Sequence, residues 1–470
     1  MEFKSKKNII TQENPFANDK LNRKNHIKNL STLLLNISSP IVVSINAPWG
    51  CGKTTFLEML NADLRNSSCK TVYYSAWETD FAPDPLLAFL GEMNKEIELI
   101  INDNRNKNIA WENTKKAGKH ILKNAIPAII KVSTAGVIDA EKIIEDESSK
   151  FMEGLSKDYI KEYLNNKTAI AKFKEGIEKI LSKNDTEITK LYVIIDELDR
   201  CRPTYAVELL ERIKHLLDIK GLVFVLALDK LQLSHSIKAI YGSEFDSLGY
   251  LRRFIDIEYT LPRVELNDFI DEQYNHFGFT DFFQKRKSYS AFQNESSTLK
   301  NTFKLLADAK QLSLREIEQL FARINLVILS TEENVHLYPV LLVFLILAKD
   351  HDINLYNTYM NEDSPPNIMI EFLYKIIPEN IRVNSHECHL IEGFIIGAKY
   401  DEYKNKQGNT LLEHEKIVNN PNIDIKIKRY SESIIKIASS FSGFRNEISL
   451  SSLKERIDMS ESFKFQSNEC

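Results

Sequence analysis

"INAPWGCGKTTFLEML", residues 45–60, decides the fold. A β-branched run ends at a turn, a Gly-Lys-Thr follows, and apolar residues then recur at helical spacing. A phosphate-binding loop needs backbone N–H groups aimed inward, a helix N-terminus behind them, a lysine and a hydroxyl. The usual pattern is G-x-x-x-x-G-K-[ST]. Here it reads Ala47-Pro48-Trp49-Gly50-Cys51-Gly52-Lys53-Thr54, with Thr55 next and Ala47 in place of the first glycine. The key parts remain. Gly52 permits the tight path, Lys53 is placed for the β- and γ-phosphates, and Thr54 for Mg²⁺. A chance Gly-Lys-Thr would lack the strand before it and the helix after it.

The second half of such a site is an apolar strand ending in an acid. "LYVIIDELDR" (191–200) supplies it. Asp196 is placed to hold Mg²⁺ through water, Glu197 to polarise an attacking water, and Asp199 is a second acid at the same strand end. Asp229, after "LVFVLAL", is either a helix cap or a γ-phosphate sensor. Phosphoryl transfer also asks for a positive group at the γ-phosphate. Arg252 and Arg253 in "GYLRRFID" are candidates, as is Arg315 in "LSLREIEQ". Each of these arginines has the alternative of a surface or ion-pair role.

Further strands are expected at 39–46, 70–77, 221–229 and 253–262, with helices between them. That alternation argues a parallel α/β sheet. Residues 86–188 carry helical periodicity and charge. After Pro262 apolar residues recur at helical spacing and few strand signals remain, so 264–470 reads as a C-terminal helical domain. The last residues, "SESFKFQSNEC", read as frayed. "SHECHL" (385–390) clusters His386, Cys388 and His389, but neighbouring side chains point apart and no second ligand cluster accompanies them, which argues against a metal site.

Four stretches together are more specific than the loop alone: "APWGCGKTTFL", "YYSAWE" (73–78), "IIDELDRC" (194–201) and "YLRRFIDIEYTLP" (250–262). On these the chain resembles the KAP family of P-loop NTPases, and "LSLREIEQ" (312–319) resembles a further family element. Two positions depart from the family pattern: Ala47 for the loop-start glycine, and Asp196-Glu197 for an Asp-Asp pair. The resemblance implies an α/β fold, an additional-strand P-loop NTPase sheet with a helical insertion. The core then comprises 1–85 and 189–263, with 86–188 as the insertion, a segment that in many relatives carries membrane-spanning helices. Trp77 and Glu78 match the family's second strand end, Trp77 as core packing or as a ligand contact. The resemblance further implies ATP and Mg²⁺ as cofactors, and for bacterial members a broad role in excluding phage.

Composition sets outer bounds. The 470 residues ask for two or three domains. With 43% hydrophobic and 27% charged residues, the chain supports both a core and a solvated surface. A formal charge of −5 gives no global basic footprint for nucleic acid. Richness in Lys, Asn and Ile, with 15 Gly and 13 Pro, suits long helices and is common in AT-rich bacterial genomes. Five scattered cysteines fit a reducing, cytoplasmic compartment, and "MEFKSKKNIITQENPF" lacks the apolar core of a signal peptide.

The leading reading is an ATPase using its nucleotide cycle as a conformational switch, self-associating or working with neighbouring bacterial proteins. A nucleotide-loaded scaffold with little turnover is the second reading, and Glu197 argues against it. A nucleic-acid-associated motor is the third and needs a basic face. Membrane association is not expected. "PVLLVFLILA" (339–348) falls well short of the roughly 20 residues of a span. The apolar window 121–140 contains Lys123 and Lys131, each costing about 2.5–3.5 kcal/mol at a bilayer centre. The chain is therefore expected in the supernatant after high-speed centrifugation of lysed cells. Recovery only with detergent would overturn this reading of 121–140.

Overall fold

The computed structural model describes residues 9–101, 104–125, 148–182, 188–263, 265–361, 364–399, 410–442 and 450–462. The window 121–140 falls largely outside these residues, as does "FKFQSNEC" at the end. The chain divides into two compact units, one spanning Asn8–Arg263 and the other containing Val264–Cys470.

The first unit is built on five strands: β1 (Ile41–Asn46), β2 (Lys70–Ser75), β3 (Leu191–Asp196), β4 (Leu222–Leu228) and β5 (Ile257–Thr260). Their order is β2-β3-β4-β1-β5 and every pairing is parallel. The strand β4 is thus inserted between the strand that leads into Gly-Lys-Thr and the strand that ends at Asp196. Both faces of β1, β3 and β4 are buried, as near-continuous apolar strands require, while the edge strand β5 is largely exposed. Alternate residues divide between the faces. Leu222, Phe224, Leu226 and Leu228 join a core with Val42, Val193 and Ile195, while Val223, Val225 and Ala227 pack with Val43, Ile45 and Ile194. On the second face lie α1 (Lys24–Asn36) and α2 (Lys53–Asn66), with Leu30, Phe56 and Leu60 in the contact.

The first face receives α3 (Pro85–Ile101), α4 (Arg105–Ala125) and the long helix Ser148–Leu181. Phe89, Met93 and Ile97 of α3, Trp111 of α4, and Phe173 and Ile177 of the long helix all enter that core.

The last strand is shorter than the sequence suggests. Residues 253–262 were expected to be extended, but β5 begins at Ile257. Asp246 accepts a hydrogen bond from the Gly249 N–H and starts the short helix Ser247–Leu251. Arg252 caps that helix in an αR conformation, and the Arg253 N–H donates to the Tyr250 carbonyl. Arg252 and Arg253 therefore sit on a helical turn, and the extended alternation expected of them does not apply.

The described elements of the second unit are all helical. "PVLLVFLILA" lies in the helix Pro339–His351, in which Val340 through Ala348 are all buried. Among the described residues no helix is long and apolar enough to cross a membrane. Ser385 caps the helix His386–Gly397, and His389 faces Ser433 Oγ and the Val383 carbonyl. Among the described residues no three or more His, Cys, Asp or Glu side chains are grouped so as to hold a metal ion between them. Arg286, fully buried, donates to Glu295 at 3.0 and 2.8 Å and to the carbonyls of Glu332, Glu333 and Val335, so both buried charges are paired.

Close packing between α4 and the helix Ser148–Leu181 gives a test whose sign is diagnostic. A Cβ built on Gly176 would lie 1.8 Å from Thr114 Oγ1, which is itself bonded to the Ala110 carbonyl. Elsewhere in a helix Gly→Ala gains about 1 kcal/mol. Here Gly176→Ala is expected to cost about 1–3 kcal/mol through overpacking. Adding Thr114→Ala should recover most of that loss. Denaturant unfolding of the single and double variants checks both steps, and a stabilising single substitution would show that these helices are apart.

Candidate nucleotide site

The loop after β1 carries glycines where its path needs them. Gly50 (φ 76°) and Gly52 (φ 75°) occupy the left-handed region that side chains avoid. Ala47 does not have a positive φ. Its N–H donates to the Leu228 carbonyl and continues the β1–β4 ladder, and its methyl is buried in the second-face core. The substitution at the loop's first position therefore falls where glycine is not required. Pro48 and Trp49 are exposed and Cys51 is half-buried. Lys53, Thr54 and Thr55 open α2, with Lys53 buried.

Lys53 Nζ donates to the Ala47 carbonyl at 2.7 Å and lies 3.5 Å from Asp199 Oδ2. That same oxygen accepts the Trp49 indole N–H at 2.7 Å and the Asp229 N–H at 2.8 Å. Asp199, buried, is thus engaged with the phosphate loop and with the end of β4. Asp229 caps the helix Lys230–Tyr241, accepting from the Leu231 and Gln232 N–H groups. The capping alternative for Asp229 is the one its contacts display.

Asp196 ends β3, buried. Its carboxylate accepts the Tyr73 Oη–H at 2.8 Å and the Glu197 N–H at 2.8 Å, and the Thr54 hydroxyl lies near enough to favour its ionised form. Burial pushes its pKa up, against the lowering effect of Tyr73 and Thr54. The hydroxyl and the carboxylate expected to serve Mg²⁺ are therefore neighbours, although they come from opposite halves of the unit. Hard oxygen donors of this kind suit Mg²⁺.

Glu197 takes a left-handed backbone conformation (φ 60°), uncommon for a side chain of its size. Its Oε1 accepts from Arg200 Nη1 at 2.6 Å and its Oε2 from Ser75 Oγ at 2.9 Å. Burial raises its pKa, while Arg200 and Ser75 pull it back down. Ser75 is the last residue of β2 and pairs in register with Asp196. Next to it, the Ala76 N–H donates to the Asp196 carbonyl. Trp77 is half-buried against the first-face core and Glu78 is exposed. Further along the same loop, Asp80 receives Arg202, and Thr79 meets Tyr74 and Tyr205.

The sequence-derived residues 47–55, 196, 197 and 199 thus gather at the C-terminal edge of the parallel sheet, where open α/β sheets bind ligands. Arg252 and Arg253 are exposed before β5, and no hydrogen bond connects their side chains to the loop. Arg315 is exposed on the first turn of the helix Leu314–Leu329 in the second unit, behind a Ser313–Glu316 capping box. Tyr73, Ser75, Arg200 and Arg23 were not singled out from sequence. Tyr73 and Ser75 lie within the quoted "YYSAWE", so their alternation along β2 toward a strand ending in acid was the available signal. Arg23 offered none.

Comparison with known proteins agrees with this geometry. Residues 23–329 match the model of the KAP family P-loop domain. The phage T7 exclusion protein of Escherichia coli strain K12 is 22% identical over 268 residues, covering 52% of this chain and 33% of that protein. The chain thus matches about a third of the length of that relative. Among solved structures, the Aeropyrum pernix ORC1 protein in complex with DNA aligns over 94% of this chain and 92% of its own at 12% identity and a TM-score of 0.31. AMPPCP-bound DnaA from Aquifex aeolicus aligns over 96% and 97% at 11% identity and a TM-score of 0.27. A family model spanning well over half of the chain, together with a P-loop strand, an inserted β4 and an acid-terminated β3, means that this chain belongs to the KAP family of P-loop NTPases.

Proposed function

We propose that the chain binds ATP with Mg²⁺ and hydrolyses it, and that the cycle drives a conformational switch in a bacterial multi-protein system of the phage-exclusion kind. The observation that carries the nucleotide reading is the convergence of Trp49 and Lys53 on Asp199 Oδ2, which joins the phosphate loop to the acidic segment that ends β3. Lys53 and the N–H groups at the start of α2 would hold the β- and γ-phosphates, and Thr54 and Asp196 would hold Mg²⁺. Bound Mg²⁺ would neutralise phosphate charge. Glu197 would polarise the attacking water, one of Arg252 and Arg253 would act on the γ-phosphate of a neighbouring copy, and Asp199 would keep Lys53 in line. Association with the phage-exclusion class rests on the similarity to the T7 exclusion protein and extends only to the matched portion.

One observation favours the second reading, a nucleotide-loaded switch with little turnover. Both oxygens of Glu197 are engaged, by Arg200 and Ser75, so the acid is held away from a water-polarising role in this conformation. Hydrolysis then requires its release.

Two variants separate binding from chemistry. Removing the Lys53 charge forfeits charge-assisted bonds to phosphate, so Lys53→Ala should weaken a fluorescent ATP analogue about 10- to 100-fold. Glu197→Gln should bind the analogue as the unaltered chain does and lose about 10²–10⁴-fold in turnover. Unchanged affinity in the first variant would remove the phosphate-loop reading. Unchanged turnover in the second would move the base elsewhere.

The pH dependence follows from the neighbours of Glu197. Burial raises its pKa, so the acid limb of the turnover profile should lie above the ordinary glutamate range. Arg200 and Ser75 stabilise the ionised form. Arg200→Met should therefore move the limb to higher pH, and Ser75→Ala should move it the same way by less. A limb that stays fixed or moves down in Arg200→Met would show that Glu197 is not the titrating base.

A further inference from the structure

A buried arginine grips the phosphate loop from outside. Arg23 stands immediately before α1 and is only 4% exposed. Its Nη2 donates to the Cys51 carbonyl at 2.8 Å and its Nη1 to the Gly52 carbonyl at 3.2 Å. The Phe56 ring of α2 lies 5.8 Å from the guanidinium carbon. Asp19 fixes the base of the side chain by accepting the Arg23 N–H at 3.0 Å and the Lys24 N–H at 2.7 Å. Burial pulls the guanidinium down to about 10, so the chain keeps a cation here against its desolvation.

Water would satisfy two loop carbonyls without that desolvation. What water lacks is a rigid fork. A guanidinium presents its donors in one plane at fixed spacing, so it holds two consecutive peptide groups at once. In a trans peptide the carbonyl and the following N–H point in opposite directions. The Cys51 carbonyl shares its plane with the Gly52 N–H, and the Gly52 carbonyl shares its plane with the Lys53 N–H. Holding both carbonyls outward therefore turns both N–H groups inward. Gly52 is the residue whose backbone is least restricted by a side chain. Its carbonyl also accepts the Phe56 N–H at 3.1 Å as the first bond of α2, so the Cys51–Gly52 plane is the one most in need of a restraint.

We propose that Arg23 is a positioning residue of the nucleotide site, its guanidinium fixing the Cys51 and Gly52 peptide planes so that their N–H partners face the phosphates of a nucleoside di- or triphosphate. This rests on the reading of residues 47–54 as a phosphate loop. Arg23 does not touch the ligand; it acts through the loop.

The test uses the full chain with Arg23→Ala and Arg23→Lys, beside Lys53→Ala as the control for the underlying reading. The probes are a fluorescent ATP analogue and MgADP, titrated well below the melting temperature of each variant. Arg23→Ala should weaken both probes about tenfold, as much as misaligning one loop N–H from its phosphate oxygen would cost. Arg23→Lys keeps the charge but not the fork and should fall between. Millimolar methylguanidine should restore part of the affinity of Arg23→Ala and leave Lys53→Ala unchanged, which a loss of global stability would not produce. If Arg23→Ala does not fold, Arg23→Lys carries the test through the same titration. Affinity within twofold of the unaltered chain in the folded Arg23 variants, with Lys53→Ala defective, would overturn the proposal alone. Full binding by Lys53→Ala would overturn the phosphate-loop reading with it.

Discussion

One carboxylate oxygen organises the candidate site. Asp199 Oδ2 accepts the Trp49 indole N–H and the Asp229 N–H and faces Lys53 at 3.5 Å. These partners come from the loop after β1, the end of β4 and the start of α2. They converge because β4 lies between β1 and β3. A buried carboxylate is tolerated only where donors surround it, and here the donors are the elements that shape the loop. Sheet order, loop conformation and the placing of Lys53 are thus parts of one arrangement.

Three acids within four residues would repel one another on a uniform strand. The chain separates them by changing backbone conformation at each. Asp196 closes the extended strand and points to Tyr73 and Thr54. Glu197 turns left-handed, at a cost of about 1–2 kcal/mol for a non-glycine residue, and meets Ser75 and Arg200. Asp199 lies in the single 3₁₀ turn that follows and faces the phosphate loop. Each carboxylate has its own donor set, so the three are not interchangeable. In particular Asp199, hydrogen-bonded by Trp49 and the Asp229 N–H and paired with Lys53, is poorly placed to stand in for Glu197.

The sheet was legible because its strands are buried on both faces, and uninterrupted apolar runs such as "LYVIID" and "LVFVLAL" have few other uses. The Gly-Lys-Thr loop was legible for the same reason, since strand and helix flank it. Legibility failed at the edge. There β5 pairs with β1 on one side only, so four residues suffice, and the short helix capped by Asp246 runs out in a turn through Phe254 that occupies the start of what alternation alone marks as strand. That misplaced Arg252 and Arg253 in conformation. The donors around the acids were hidden for a different reason. Ser75, Tyr73 and Arg23 act across long stretches of chain, on partners that only the folded topology brings near. Local pattern carries no record of such pairings.

Under the proposed function, the choice between turnover and switching rests on one carboxylate leaving its partners. Glu197 is held by Ser75 from β2 and by Arg200 from its own turn. The loop that follows Ser75 is in turn tied to the segment after Arg200 through Asp80 with Arg202 and through Thr79 with Tyr205. Moving Glu197 toward a bound nucleotide therefore strains two linked stretches, 75–80 and 200–205. A freely solvated glutamate would reorient without consequence for the fold around it. A glutamate built into this double tether makes its own release a rearrangement of two adjacent loops. On the proposed role of Glu197, the contacts that restrain the carboxylate are the same ones that would report its release to the rest of the unit.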